Sequence, residues 1–192
     1  MKQFASILAL VVLALAPLAA PAQTAVTGFR ADFFFQQAGV EKEILALAEA
    51  VPAEKYSWRP AEGVRSIGEV YMHIAGANYL IPSFAGVKIP DGISPGMEKT
   101  VTDKAAIIEA LKKSFAHLRN AIAATKDADL DKPVKFFGMD STVRGLYLVT
   151  ANHEHEHLGQ SIAYARMNGI VPPWTAERQE RQKAAEKPAE KK

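Results

Sequence analysis

Four stretches of this chain repeat their apolar residues at steps of three and four, which is helical periodicity. No pair of segments shows period-two alternation joined by a hairpin turn. The first stretch runs from about Thr27 to Ala50, with Phe29, Phe33, Val40, Ile44 and Leu47 on one face, and Pro52 follows it. The second opens at Ser66, with Glu69 three residues on as a capping box, and carries Val70, His73, Ile74 and Ala77 toward Phe84. A Gly/Pro-rich connection, Gly86 to Pro95, leads to the third, which starts near Thr102-Asp103 and carries Ile107, Ile108, Leu111, Phe115, Leu118 and Ile122. A polar loop, Lys126 to Asp140, precedes the fourth, which starts near Ser141-Thr142 and stops at Asn168-Gly169 before Pro172-Pro173. Phe33-Phe34-Phe35 and Leu146-Tyr147-Leu148-Val149 suit strands by composition, but each lies inside a longer helical period. Four long amphipathic helices around one core predict an all-α fold, a four-helix bundle.

The ends of the chain stand apart from that pattern. Lys2, the apolar run Ile7 to Leu18 and the small-x-small triplet Ala20-Pro21-Ala22 have the form of a secretory signal peptide. Cleavage after Ala22 would leave a mature chain starting at Gln23, exported to the periplasm or outside the cell. The apolar run falls short of the ~20 residues needed to span a bilayer, so no membrane attachment is expected after cleavage. Ten of the eighteen residues from Thr175 onward are charged and none is a large apolar residue. Residues 175–192 therefore form a tail that is disordered or a polar extension of helix. The organisation expected is a signal peptide at 1–22, one bundle domain at 23–174, and the tail.

The chain has no cysteine, which excludes thiolate chemistry, cysteine-zinc sites and disulfides. Twenty-three Lys and Arg stand against 21 Asp and Glu, so no basic excess points to nucleic acid or an anionic membrane.

The chemistry concentrates in histidine. Three of five histidines lie in His153-Glu154-His155-Glu156-His157. His153 and His157 stand four apart, one turn of helix, on the stripe of Leu146, Val149, Thr150, Gln160 and Tyr164 that faces the core. His155 points about 200° away and is expected at the surface, as is His117 among Lys113, Ser114 and Ala121. On the second helix His73 shares the inward stripe. An imidazole buried without a partner costs on the order of 1–3 kcal/mol. Three converging rings are satisfied together by a divalent cation, zinc or nickel first among those that suit imidazole.

Three segments of this chain resemble the DinB/YfiT-like superfamily. They are Tyr56-Ser57-Trp58-Arg59-Pro60 through Ser66-Ile67-Gly68-Glu69-Val70-Tyr71-Met72-His73-Ile74-Ala75-Gly76-Ala77-Asn78, then His153 through Gln160, then Tyr164-Ala165-Arg166-Met167-Asn168-Gly169-Ile170-Val171-Pro172-Pro173. The resemblance implies a four-helix bundle, a metal site of His73, His153 and His157, frequent homodimerisation and, in some members, metal-dependent transfer involving a low-molecular-weight thiol. Export argues against that thiol here, because such thiols are mainly intracellular. Glu156 and Leu158 depart from members that carry a second His or Arg around the last ligand.

Three neutral ligands would leave an ion its full charge and an open position, which suits activation of water or another nucleophile on a small-molecule substrate. Glu154 and Glu156 turn away from the metal stripe, and Gln160 is placed to orient a ligand or water. Glu69 is expected to be occupied by its cap. The Gly86–Pro95 connection and the Phe136-Phe137-Gly138-Met139 loop are candidates for the mouth of the site, with packing the stronger reading for the Phe pair. Two other classes fit parts of the pattern. His153-Glu154-x-x-His157 has the spacing of a zinc metalloprotease with Glu177 as a downstream ligand, but a charged tail and the lack of a sheet edge oppose it. A bundle that binds a metal or ligand without turnover also fits. A structural site would, however, close its coordination with a fourth ligand, and no fourth inward His is present, which favours an open, reactive site.

Overall fold

The computed structural model describes residues 27–94 and 96–186. The signal-peptide expectation at 1–22 and the last residues of the tail lie outside the described residues. The fold is all-α, with one small hairpin. Its elements are α1 (Gly28–Ala50), α2 (Ile67–Ser83), the one-turn α3 (Met97–Thr100), α4 (Lys104–Ala124), β1 (Pro133–Phe136), β2 (Met139–Thr142), α5 (Val143–Met167) and α6 (Pro173–Glu186). Among the described residues no helix is long and apolar enough to cross a membrane.

The helix starts follow from their caps. Ser66 Oγ accepts from the Glu69 backbone N–H at 3.2 Å, and Glu69 Oε2 accepts from the Ser66 N–H at 2.7 Å, so both halves of the capping box are present. Asp103 accepts from the Ala106 N–H and Thr142 from the Gly145 N–H in the same way for α4 and α5. α5 ends where Gly169 takes a positive φ of 74°.

The long helices form a four-membered ring in which α1 and α2 each pack on both α4 and α5. Contact pairs set their directions. Gly68 meets Ile107 and Asn78 bonds Ser114, so α2 and α4 run parallel. Phe33 meets Tyr147 edge-on and Gln37 bonds Glu154, so α1 and α5 also run parallel. Glu49 pairs with Lys112 and Glu41 with Arg119, which makes the two sets antiparallel. One core cluster draws Val40, Ile44, Tyr71, Ile74, Ile107, Leu111, Phe115 and Leu158 from all four helices. A second, at the other end, holds Phe33, Leu118, Ile122, Val143 and Tyr147.

Parallel neighbours impose a long return. After α2 the chain must travel back roughly 25 Å, the length of a 17-residue helix, before α4 can begin beside it. That return is the Gly/Pro-rich connection, and it lays α3 against α2.

The hairpin corrects the expectation of no strand pair. β1 and β2 are antiparallel, with Phe136 opposite Met139, and the two-residue turn Phe137-Gly138 has positive φ at both positions, 48° and 84°. Such turns favour Asn-Gly; a phenylalanine there removes the sequence signal. The ring is held by contacts at 5.0 Å to Phe84 and 4.7 Å to Phe136. The Phe pair thus packs at the C-terminal end of α2, roughly 16 Å along the helix from His73, and does not line the mouth of the histidine site. Residues 173–186 form a separate polar helix after the α5 stop, with no buried residue.

Candidate metal centre

His73 projects from the first half of α2, and His153 and His157 from the middle of α5. Because those helices are antiparallel neighbours, side chains 80 residues apart in sequence meet: His153 Nε2 lies 3.0 Å from His73 Nε2. The ring centroids are 4.4 to 4.9 Å apart. One nitrogen from each ring falls within 4.8 Å of the others, and among the described residues this is the group that could hold a metal ion.

The outer ring nitrogens explain the orientation. His73 Nδ1 lies 3.2 Å from Glu98 Oε2, and His157 Nδ1 lies 2.8 Å from Gln160 Oε1. Carboxylate and amide oxygens only accept, so both Nδ1 atoms carry the proton and both Nε2 atoms present a lone pair to the shared space. Gln160 is fixed in turn by donating to Tyr164 Oη at 3.0 Å, and the Tyr164 ring meets the Trp58 indole edge-on at 5.5 Å. Glu98 is fixed by Arg65 Nε, which donates to its Oε1 at 2.8 Å.

The donors fit a divalent cation. Metal–nitrogen bonds of about 2.0–2.1 Å in a tetrahedron put ligand nitrogens about 3.3–3.4 Å apart, close to the His73–His153 separation. Burial, then the neighbouring His157 and His73 rings and Arg65, push His153 down to about 3. Burial, Arg65 and His157 also lower His73, against the opposing effect of Glu98. Both rings are therefore neutral at pH 7, the form that ligates.

The remaining candidates separate cleanly. His155 is exposed, its Nδ1 on the Ala151 carbonyl of its own helix. His117, expected at the surface, is half-buried instead, because the Tyr79 ring from parallel α2 covers it at 4.8 Å. Glu156 and Glu177 are exposed. Glu154 does turn away from the histidines, but it is 0% exposed, with Oε1 accepting from Gln37 Nε2 of α1 at 3.1 Å. Burial raises it to about 8 despite that hydrogen bond, so it is protonated at neutral pH. The metalloprotease pattern thus lacks its base: the glutamate is neutral and faces α1. The group also takes His73 as its third member, where that reading needed Glu177.

Sequence reasoning missed three polar partners. Gln37 stands in phase with the apolar stripe of α1, a signal that its side chain is buried. Arg65 and Glu98 carried no signal of that kind, because Glu98 reaches the site only through the return of the chain after α2.

The fold is a helical bundle in which three imidazoles meet between two antiparallel helices, a group whose donor atoms could hold a metal ion. The chain belongs to the DinB superfamily, whose model matches residues 38–161, a span that contains all three histidines. It is 31% identical over 127 residues to the uncharacterised protein YjoA of Bacillus subtilis strain 168, a match covering 64% of this chain and 80% of that protein. Two solved structures share its fold. A DinB-like protein of Bacillus cereus ATCC 10987 superposes with a TM-score of 0.64 at 23% identity, over 76% of this chain and 93% of that one. YjoA itself gives a TM-score of 0.59 at 21% identity, over 73% and 93%.

Proposed function

We propose that this protein is a divalent-metal-dependent enzyme, a hydrolase or transferase acting on a small molecule. His73, His153 and His157 hold the ion, zinc or nickel. The observation that carries the reading is the approach of His73 Nε2 and His153 Nε2 to 3.0 Å while the outer nitrogens of His73 and His157 are taken by acceptors. The His73 Nε2 lone pair at that distance from His153 Nε2 is satisfied by a proton on His153 or by a cation shared between the two rings. Bound there, an ion would act as a Lewis acid, easing deprotonation of an incoming water or other nucleophile or polarising a carbonyl. The chain's own contribution is orientation: Gln160 sets His157, Tyr164 sets Gln160, and the Trp58 indole packs edge-on against Tyr164. The group has three members, which would leave an ion held there with a coordination position free.

A second reading, a bundle that binds a metal or ligand without turnover, is favoured by one observation. Both oxygens of Glu98 are engaged and Glu154 faces α1, so neither carboxylate is placed as a general base. Elemental analysis of untagged protein beside His73→Ala tests the metal reading: about one equivalent per chain is expected, lost in the variant. No metal after reconstitution sinks it. Hydroxamate binding to the loaded protein then separates an open site from a closed, structural one.

Export and homodimerisation belong to the same proposal. They are supported by the Ile7–Leu18 run with Ala20-Pro21-Ala22 and by family resemblance. N-terminal sequencing of the exported product, expected to begin at Gln23, and sedimentation velocity test them.

A further inference from the structure

The return connection after α2 carries a carboxylate to the back of the histidine group. Glu98 stands on α3, 25 residues beyond His73, with Oε2 at 3.2 Å from His73 Nδ1 and Oε1 at 2.8 Å from Arg65 Nε. We propose that Glu98 is a positioning residue that holds His73 in the Nδ1–H tautomer, so that its Nε2 lone pair faces Nε2 of His153. The proposal deepens the metal-binding reading above and rests on it.

A neutral imidazole carries one N–H and exchanges it between two nitrogens; a partner that can only accept selects the nitrogen that donates to it. The same bond resists rotation of the ring, and a negative charge behind Nδ1 makes the opposite nitrogen a better donor to a metal. Glu98 is not itself placed as a ligand. It lies at the ring edge away from Nε2, and it is no member of the group whose donor atoms converge.

Arg65 fixes the carboxylate from the other side. It precedes the α2 cap Ser66, so its backbone is set by the capping box. Lys99, the next residue of α3, donates to Glu69 Oε1 at 3.0 Å. The short helix is therefore tied to the first turns of α2 at two points, and only one of them touches a histidine. A purely structural role would make the two ties interchangeable; a positioning role would not. Gln160 does the corresponding task for His157 as a neutral acceptor, whereas His153 Nδ1 is buried with no hydrogen-bond partner.

The test uses the full mature chain, with Glu98→Gln and Lys99→Ala as variants. Long-range proton–nitrogen spectra of the metal-free protein at neutral pH report the His73 tautomer, and competition with a chromophoric chelator reports zinc affinity. Arg65 can only donate, so it claims the oxygen of the new amide and turns its NH2 toward His73 Nδ1. E98Q is therefore expected to convert His73 from Nδ1–H to Nε2–H and to weaken zinc binding about 10–100-fold. K99A, which loosens the same helix without touching His73, is expected to match the wild type in both readouts. The proposal is overturned if E98Q keeps the Nδ1–H tautomer, if its zinc affinity stays within about threefold of wild type, or if K99A loses as much affinity. A wild type that takes up no zinc would remove the function proposed above, while the tautomer would still report whether Glu98 positions the ring.

Discussion

A buried polar pair in this bundle depends on both of its members. Glu154 and Gln37 form a pair between α5 and α1 in which one hydrogen bond joins two groups that water does not reach. Removing one partner leaves the other desolvated, which costs about 1–3 kcal/mol, whereas replacing both by apolar groups is close to neutral. Gln37→Leu is thus expected to lower the urea-unfolding free energy by that amount, and the double change Q37L/E154L to recover most of it. A neutral Q37L would show that the pair holds no such tension. For the histidines the expectation is asymmetric: His153→Ala abolishes stoichiometric metal uptake measured by elemental analysis, and His155→Ala leaves it intact, since His155 bonds only to its own helix backbone.

At the scale of elements, the first turn of α2 is tied to its surroundings through Glu69. Glu69 caps Ser66 and receives Lys99 at 3.0 Å and Arg59 at 3.2 Å. Burial by itself would raise its pKa, but the Ser66 N–H and the two cations hold it down at about 2. A carboxyl whose folded value is depressed stabilises the fold fully above its unfolded value, about 4.3, and loses that contribution as pH falls through the folded one. The stability gap between wild type and Glu69→Gln, read from urea midpoints, is therefore expected to be constant from neutral pH down to about 5 and to close toward pH 2. A gap that is unchanged by acid would mean that Glu69 acts only as a neutral cap. At the other end of the chain, the residues of α6 from Glu177 onward are all exposed. Ending the chain at Ala176 is expected to leave the melting temperature within about 2 °C of the full chain, since surface changes stay near 0.5 kcal/mol.

At the scale of the whole molecule, the proposed metal binding would be coupled to folding, because the two helices that supply the histidines meet only in the folded bundle. An ion at 100 times its Kd adds about 2.7 kcal/mol, which for a chain of this size is a rise of about 5–10 °C in melting temperature. That rise is expected on adding zinc to chelator-treated protein in a thermal scan, and it should be absent in H153A. An equal rise in the variant would place the stabilising ion elsewhere.

Much of this was legible before any coordinates. Helical periodicity, the Ser66–Glu69 box and the Asn168-Gly169 stop located the helices of the bundle because helix chemistry is local: caps, period and termination act within a few residues. The inward placement of His73, His153 and His157 was legible for the same reason, since a helix face is a matter of spacing. The turn at Phe137-Gly138 was not, because a phenylalanine stands at a positive φ where such turns favour asparagine. Nor was the burial of Glu154. A wheel shows that it points away from the histidines, but α5 is packed on two sides, and only the position of α1 turns that far face into interior. The Glu98–His73 contact belongs to tertiary structure alone. It exists because α2 and α4 run parallel and the chain must return along α2 to begin α4. Spacing along one helix sets which residues share a face; the packing of helices sets what that face meets.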